Sequence, residues 1–234
     1  MSAGAVPVAP GGLRPGQLGL IVVGRVIMGD IAVTVADLAQ RGFLAVDEAA
    51  DDRDWLLSPS GAGAPGQMRG HVLEYERRLL DGLAEAGAPA RLSALPSGFG
   101  KTLDETREAL VREAVRQGWL RRLHHGRRSP KGEDLAQQVR FFRRDLRRLK
   151  ADGGQDSLTG AMLPYVLHFG LMPDAQLPLA RFARAWVHAF ADLPGWAPPK
   201  PKDTKSDDPI APATDPGDRM ARQMEAAAFI MGAM

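Results

Sequence analysis

The chain has 234 residues, of which 44% are hydrophobic and 25% charged, values typical of a soluble globular protein with a substantial core. It contains no cysteine, which excludes disulfides, thiolate metal ligands and cysteine nucleophiles. No apolar run approaches the roughly 18 residues of a membrane-spanning helix, and the N-terminus lacks the basic segment of a signal peptide. The sequence therefore predicts a cytoplasmic protein, with peripheral attachment to a membrane as an alternative.

Charge is distributed unevenly along the chain. Between Arg121 and Lys150, eleven basic residues stand against three acidic ones, a local net charge of +8. Because the whole chain carries only +2, the remainder carries −6. Such asymmetry indicates one cationic surface on a mildly acidic body.

The N-terminal part of the chain predicts two helices followed by a hairpin. Residues 1–12 are small residues, proline and glycine, and are expected to be a disordered arm. Asp30 is expected to cap the second helix, and an acidic turn containing Asp51, Asp52 and Asp54 separates the two strands. The predicted elements are a helix over Pro15–Val26, a helix over Ile31–Gln40, and strands over Phe43–Asp47 and Trp55–Ser58.

The middle of the chain follows a linker rich in glycine and proline. Apolar spacing predicts an amphipathic helix over Val72–Ala86 and another over 103–117. Between them come a short helical or extended piece at Arg91–Leu95 and a turn, with Thr102 as the expected helix cap. Trp119, Leu120 and Leu123 are expected to form a short strand that leads into a polar hairpin over Leu123–Lys131.

The C-terminal part predicts three more helices and then an unfolded stretch. Apolar residues at alternating spacings of four and three form a seam on the first of these helices. Proline, lysine and aspartate after Pro194 cannot bury enough apolar surface to fold. The predicted helices cover Glu133–Lys150, Leu158–Phe169 and Leu179–Leu193, with a short Met-rich helix over Arg219–Met231.

One motif occurs twice. Gly42 and Gly118 each follow a predicted helix and precede an aromatic residue that begins a strand, Phe43 and Trp119. The repeat predicts a mostly α protein with short β-hairpins (α+β), built from tandem winged-helix-like units and a helical C-terminal extension. The expected boundaries are 1–12 arm, 13–60 first unit, 61–70 linker, 71–132 second unit, 133–193 helical extension, 194–218 disordered linker and 219–234 short helix or tail.

The order of several loose motifs resembles a known family. They include DLAQRGFLAVDE at 37–48, EYERRLLDGL at 74–83, LVREAVRQGWL at 110–120 and MLPYVLHFGL at 162–171. In this order they are similar to the C-terminal soluble portion of the YciQ-like predicted bacterial membrane proteins, a family of unknown function. The resemblance covers roughly residues 14–193 and implies no catalytic residue. The chain lacks the family's transmembrane helices and extracytoplasmic domain, so we expect a free-standing soluble version.

The segment from Leu95 to Thr102 ends in GKT before a helix, as a phosphate-binding loop does. Leu95 stands where that motif has its first glycine, and no buried strand precedes the loop. We therefore interpret the segment as a turn with a helix cap, and leave open whether it contacts phosphate.

No catalytic, cofactor or metal site is predicted. The histidines are His71, His124, His125, His168 and His188. Positive charge beside His124 and His125 opposes a bound cation, and His168 and His188 lie on apolar helices, where they are expected at the edge of the core. Phe141, Phe142, Trp186 and Phe190 are predicted to be core residues, and the aspartates of the acidic turn a solvated cluster.

The arginine-rich segment is the candidate binding site, because guanidinium groups match carboxylates and phosphates. Its residues are Arg121, Arg122, Arg127, Arg128, Arg140, Arg143, Arg144, Arg147 and Arg148. We predict a non-catalytic module that engages an acidic protein or peptide. The alternatives are a winged-helix DNA-binding regulator, an accessory subunit that presents a peptide to a partner enzyme, contact with an anionic membrane surface, and pairing with the chain's own acids. The oligomeric state stays open.

Overall fold

The computed structural model describes residues 7–50, 54–60, 71–121, 127–152, 158, 160–171 and 178–196. These residues form a mostly helical α+β protein with a small antiparallel sheet, as the sequence predicts. The helices are α1 (Leu18–Val23), α2 (Met28–Gln40), α3 (Glu74–Glu85), α4 (Phe99–Arg116), α5 (Pro130–Ala151), α6 (Leu163–His168) and α7 (Pro178–Ala189). The strands are β1 (Leu44–Glu48), β2 (Trp55–Pro59) and β3 (Ala90–Arg91).

Helix α2 lies at the centre of the fold. Every residue from Asp30 to Leu38 is buried, and the helix packs against α6, α7 and the helical turn at Pro15–Gln17. Two glycines permit this close approach: a Cβ on Gly16 would lie 2.0 Å from the Thr34 hydroxyl, and one on Gly19 would lie 2.2 Å from the Asp30 carboxylate. The sequence alone did not predict this central role.

The start of α2 differs from the prediction. The helix begins at Met28 rather than Ile31, so Asp30 is the third residue of its first turn and not the residue before it. The Asp30 carboxylate reaches back to accept a hydrogen bond of 2.9 Å from the backbone N–H of Ile27. The acidic residue still satisfies an unpaired amide at the helix start, but as one half of a capping box.

The two predicted units share one sheet. The predicted hairpin is confirmed, with Leu44 opposite Pro59 and Glu48 opposite Trp55. Strand β3, which comes from the second unit, pairs with β2 of the first, so the strand order is β1-β2-β3. Trp55 and Leu57 face the core.

The described part of the second predicted hairpin has less strand pairing than the first hairpin. Leu120 and Arg128 form an isolated bridge, and the backbone N–H of Arg121 donates to the carbonyl of Arg127 at 2.9 Å. Leu123, His124 and His125 of the predicted tip lie outside the described residues.

The repeated glycines end their helices in the same way. Gly42 has φ 82° and Gly118 has φ 72°, a backbone conformation that favours glycine. The aromatic residue after each glycine donates its backbone N–H five residues back, from Phe43 to Leu38 at 2.9 Å and from Trp119 to Ala114 at 2.8 Å. Both aromatic residues are buried. Each helix thus ends in a Schellman motif that is followed by a buried aromatic residue.

The C-terminal helices pack back onto the first unit. Helix α5 contacts α1, and α7 contacts α2 and β1. The buried apolar residues form one cluster that extends from Leu13 to Trp196. The predicted helical extension over 133–193 therefore completes the core of the N-terminal part.

At both ends of the described ranges, residues pack against the fold where the sequence predicts disorder. The turn at Pro10–Gly12 packs against α5, so the arm predicted over 1–12 does not include it. Trp196 is buried, and its indole N–H donates to the Asp104 carboxylate at 3.0 Å, so the stretch predicted to be unfolded does not begin at Pro194. The predicted helix over Arg219–Met231 lies outside the described residues.

Candidate interaction surface

Helix α5 is fixed at its start and along its apolar seam. The Ser129 hydroxyl accepts a hydrogen bond of 3.0 Å from the backbone N–H of Gly132, and Pro130 occupies the first helical position. The predicted seam is confirmed, with four of its five residues buried and Leu149 partly buried. The seam is Leu135, Val139, Phe142, Leu146 and Leu149.

A row of three exposed arginines lies on the side of α5 away from this seam, and we call it the cationic face. Arg140, Arg144 and Arg148 are exposed at intervals of four residues, so their Cα atoms rise about 6 Å per step. Arg143 and Arg147 form a half-buried second row beside them. The sequence-predicted arginines of α5 therefore do lie together.

Acidic residues in the described ranges compensate the cationic face only weakly. The Arg144 Nε lies 3.6 Å from the neighbouring Asp145 carboxylate, and both side chains are about half exposed. Among the described residues, Arg140 and Arg148 have no ion-pair partner. Burial and the charge of Arg147 lower the pKa of Arg143 to about 10.

Phe141 is not a core residue, contrary to the prediction. It is 45% exposed, and the Arg144 guanidinium lies 4.8 Å above its ring. The apolar seam could have predicted this difference in burial, because Phe142 lies on the seam and Phe141 does not. Phe142 and Trp186 are buried as predicted, and Phe190 packs partly buried against Trp186.

The hairpin arginines are not all available for binding. Arg128 donates to the carbonyls of Ile21 and Val22, at 2.9 and 2.7 Å, and its Nε lies 2.9 Å from the Glu133 carboxylate. It therefore satisfies the C-terminal carbonyls of α1 and is not part of the cationic face. Arg121 and Arg127 are exposed, and Arg122 lies outside the described residues.

The GKT segment is helical and does not form a loop around an open site. Helix α4 begins at Phe99, so Thr102 lies within its first turns and is not its cap. The backbone N–H groups of Phe99 and Lys101 donate to carbonyls within the segment, and the Lys101 ammonium lies 3.7 Å from the Glu105 carboxylate. The preceding strand β3 has only two residues. This geometry agrees with the turn interpretation.

Asp54 of the acidic turn is not solvated, contrary to the prediction. Asp54 is buried and accepts hydrogen bonds from the Ser93 hydroxyl at 2.7 Å and from the backbone N–H of Trp55 at 2.8 Å. It fastens the β1–β2 hairpin to the segment after β3 and is not a solvated residue. Asp51 and Asp52 lie outside the described residues. No group of acidic or histidine side chains in the described ranges has an arrangement suited to a metal ion.

A buried pair of ionisable residues, which the sequence did not predict, joins α2 to α6. The His168 Nδ1 lies 3.4 Å from an Asp30 carboxylate oxygen, and Asp30 is fully buried. Burial raises the pKa of Asp30 to about 8 and lowers the pKa of His168 to about 4. The His168 side chain is 9% exposed, which agrees with its predicted place at the edge of the core, whereas His188 is exposed.

A second buried cluster surrounds Arg41. Its guanidinium lies 2.9 Å from the Asp37 carboxylate and 2.7 Å from the Glu76 carboxylate, and it donates to the backbone carbonyl of His71 at 3.1 Å. Burial raises the pKa of Asp37 to about 6, although Arg41 opposes the shift. These contacts span separate elements, so local spacing carries no signal for them.

Comparison with protein-family models, with curated proteins and with solved structures found no match to this chain. None of the helices in the described ranges combines the length and apolarity needed to cross a membrane. The functional proposal below therefore depends on the geometry of the chain's own residues.

Proposed function

We propose that the protein is a non-catalytic interaction module whose cationic face on α5 binds an acidic segment of another protein. The observation that carries the proposal is the row of exposed arginines at Arg140, Arg144 and Arg148, only one of which has an ion-pair partner among the described residues. Arginine is suited to this task because its guanidinium pairs with carboxylates bidentately and stays charged.

The cationic face differs from the other charged surfaces of the protein. On α4, Lys101 pairs with Glu105, Arg112 with Glu108 and Arg116 with Glu113. On α3, Arg77 and Arg78 both pair with Glu74. Solvated helices of that kind hold their charges in local pairs. Among the described residues, only one of the three arginines of the cationic face has an ion-pair partner, which supports a partner protein that supplies the missing negative charge.

The face is also limited in length. Arg140 to Arg148 spans about 12 Å of helix, and the exposed N-terminal half of α5 carries Glu133 and Asp134. A long run of phosphates would meet these acids, whereas a short acidic segment would not. This favours a peptide or protein partner over a nucleic-acid backbone or a charged lipid surface.

We also propose that the chain contains two winged-helix-like units that share their sheet. The matching stops at Gly42 and Gly118 support this arrangement. In such units the helix before the hairpin reads DNA in the major groove. In the first unit that helix is α2, which is buried. In the second unit it is α4, whose surface charges form ion pairs. DNA binding is therefore the second candidate, and presentation of a peptide to an enzyme is a special case of the first.

The class of partner can be tested by fluorescence anisotropy with three probes: a labelled glutamate-rich peptide, a short random-sequence DNA duplex, and vesicles containing anionic phospholipid. We expect the peptide to bind about tenfold or more tightly than the other two, and binding to weaken as salt is raised. Sub-micromolar duplex binding with a steep dependence on salt would contradict the proposal and favour the DNA-binding alternative. Preferential binding to the vesicles would contradict it as well.

A further inference from the structure

Helix α5 carries a second exposed stripe beside the cationic face. Asp134, Phe141 and Arg148 follow one another at intervals of seven residues, which is close to two helical turns, so their side chains lie on one side of the helix. All three are exposed, Phe141 by 45%. We call these residues the α5 stripe. It shares Arg148 with the cationic face, whereas Arg140 and Arg147 lie on the far flank.

The charges of the α5 stripe are arranged symmetrically. Asp134 and Arg148 have opposite charges and lie the same number of residues from Phe141, one on each side. When two copies of α5 pack antiparallel around a two-fold axis at Phe141, Asp134 of each copy lies opposite Arg148 of the other. The two Phe141 rings then meet at the axis. This is the self-complementary pattern of an isologous interface.

In the single chain, the residues of the α5 stripe lack the contacts that the antiparallel arrangement would give them. Within the ranges that the structure describes, neither Asp134 nor Arg148 has an ion-pair partner. Phe141 contacts Arg144 on one side and keeps nearly half of its surface exposed to water. An exposed aromatic ring flanked by unpaired opposite charges favours burial against a matching surface.

We propose that the α5 stripe is the interface of a symmetric dimer, with a second copy of this chain as its occupant. A parallel arrangement is disfavoured because it would place Asp134 against Asp134 and Arg148 against Arg148. The antiparallel arrangement also opposes the two helix dipoles favourably. Since the two-fold axis is perpendicular to both helices, the two cationic faces lie on the same side of the dimer.

The dimer and the proposed function share Arg148 but can be tested separately. Arg140 lies on the far flank, so reversing its charge changes neither the Asp134–Arg148 pairs nor the contact between Arg144 and Phe141, and loss of acidic-peptide binding and loss of the dimer are separate results. If both proposals hold, the dimer presents two cationic faces to one partner, which strengthens binding through multivalency.

Sedimentation equilibrium over a range of concentrations tests the dimer. For the wild-type chain we expect the mean mass to rise from the monomer value of 25.2 kDa towards twice that value. Asp134→Arg and Arg148→Asp are each expected to weaken association about tenfold or more, because like charges then face each other. The double variant with both changes should restore it. Arg140→Asp, the same charge change on the far flank, is the control and should resemble wild type.

Two results would overturn the dimer. One is a wild-type mass that stays at 25.2 kDa throughout the concentration range. The other is a double variant that associates no better than the single variants. Because the substituted residues are exposed, circular dichroism should show the same helix content for every variant.

Discussion

Replacing Arg41 with leucine is expected to lower the free energy of unfolding by about 3–5 kcal/mol, because it leaves buried carboxylates without their cation. Glu76 is fully buried and Asp37 is nearly so, and Arg41 contacts both. The remaining guanidinium, that of Arg14, lies 3.9 Å from Glu76. Chemical denaturation monitored by circular dichroism measures the loss.

The matched control is Arg112→Leu. Arg112 also pairs with a carboxylate, that of Glu108 at 3.3 Å, but both side chains are largely exposed. An exposed pair of this kind contributes only about 0.3–0.5 kcal/mol. Arg41→Leu combined with Glu76→Gln should recover part of the stability, since one unpaired charge is then removed. A loss below about 1 kcal/mol for Arg41→Leu alone would contradict the assignment of Arg41 as the buried counter-ion.

The pair formed by Asp30 and His168 is expected to make stability depend on pH. The pKa of Asp30 is raised from 3.8 to about 8, and that of His168 is lowered from 6.5 to about 4. Arg25 acts electrostatically on Asp30 and Arg143 on His168, and burial is the largest cause of both shifts. Between about pH 4 and 6.5, the pair holds one proton in the folded state and one in the unfolded state, so its two contributions cancel.

Above pH 6.5 the unfolded chain loses the His168 proton, while the folded protein keeps a proton on the pair up to about pH 8. The folded state then binds more protons than the unfolded state, so the free energy of unfolding falls as pH rises. Over this window the expected fall is about 2 kcal/mol. The raised pKa of Asp37, about 6, acts below the window and does not affect it.

Urea denaturation at a series of pH values between 6 and 8.5 measures this dependence. Asp30→Asn is the control, because an amide keeps an acceptor for the Ile27 N–H but holds no titrating proton. The pH dependence of this variant should be nearly flat in the same window. A wild-type free energy of unfolding that stays constant or rises between pH 6.5 and 8 would contradict the claim that the folded pair keeps one proton in this range.

The sequence predicts those parts of the fold that depend on local spacing. The apolar seam of α5 repeats within one helix, and Gly42 and Gly118 each end a helix. Both features follow from the order of nearby residues, so the sequence alone predicts them. The first hairpin is predictable for the same reason, since an acidic turn connects two short apolar strands.

The features that the sequence does not predict are contacts between distant residues. Asp30 meets His168 across 138 positions, Arg128 reaches the end of α1, and β3 pairs with the hairpin of the first unit. Such pairings follow from how whole elements pack, which local periodicity does not encode. For the candidate site, the sequence identifies the arginines of α5 but not the separate structural use of Arg128 or the exposure of Phe141.

The structure separates the charges that stabilise the fold from the exposed charges that we propose bind a partner. Arg41 and Arg128 are bound to buried carboxylates or carbonyls, so their charge is satisfied internally. Arg140 and Arg144 lie on the surface of a helix whose opposite side forms the core. Changing these surface arginines should therefore affect binding without affecting folding. Arg143 and Arg147 are less suitable for substitution because they are half-buried.

The most direct test compares Arg140→Glu/Arg144→Glu with Lys101→Glu/Arg112→Glu, a control with the same change in net charge on the exposed side of α4. Binding of the labelled glutamate-rich peptide and thermal unfolding are measured for both variants and for the wild type. We expect the α5 variant to lose peptide binding by about tenfold or more while its melting temperature changes little. Equal binding by the two variants would contradict the assignment of the cationic face as the binding site.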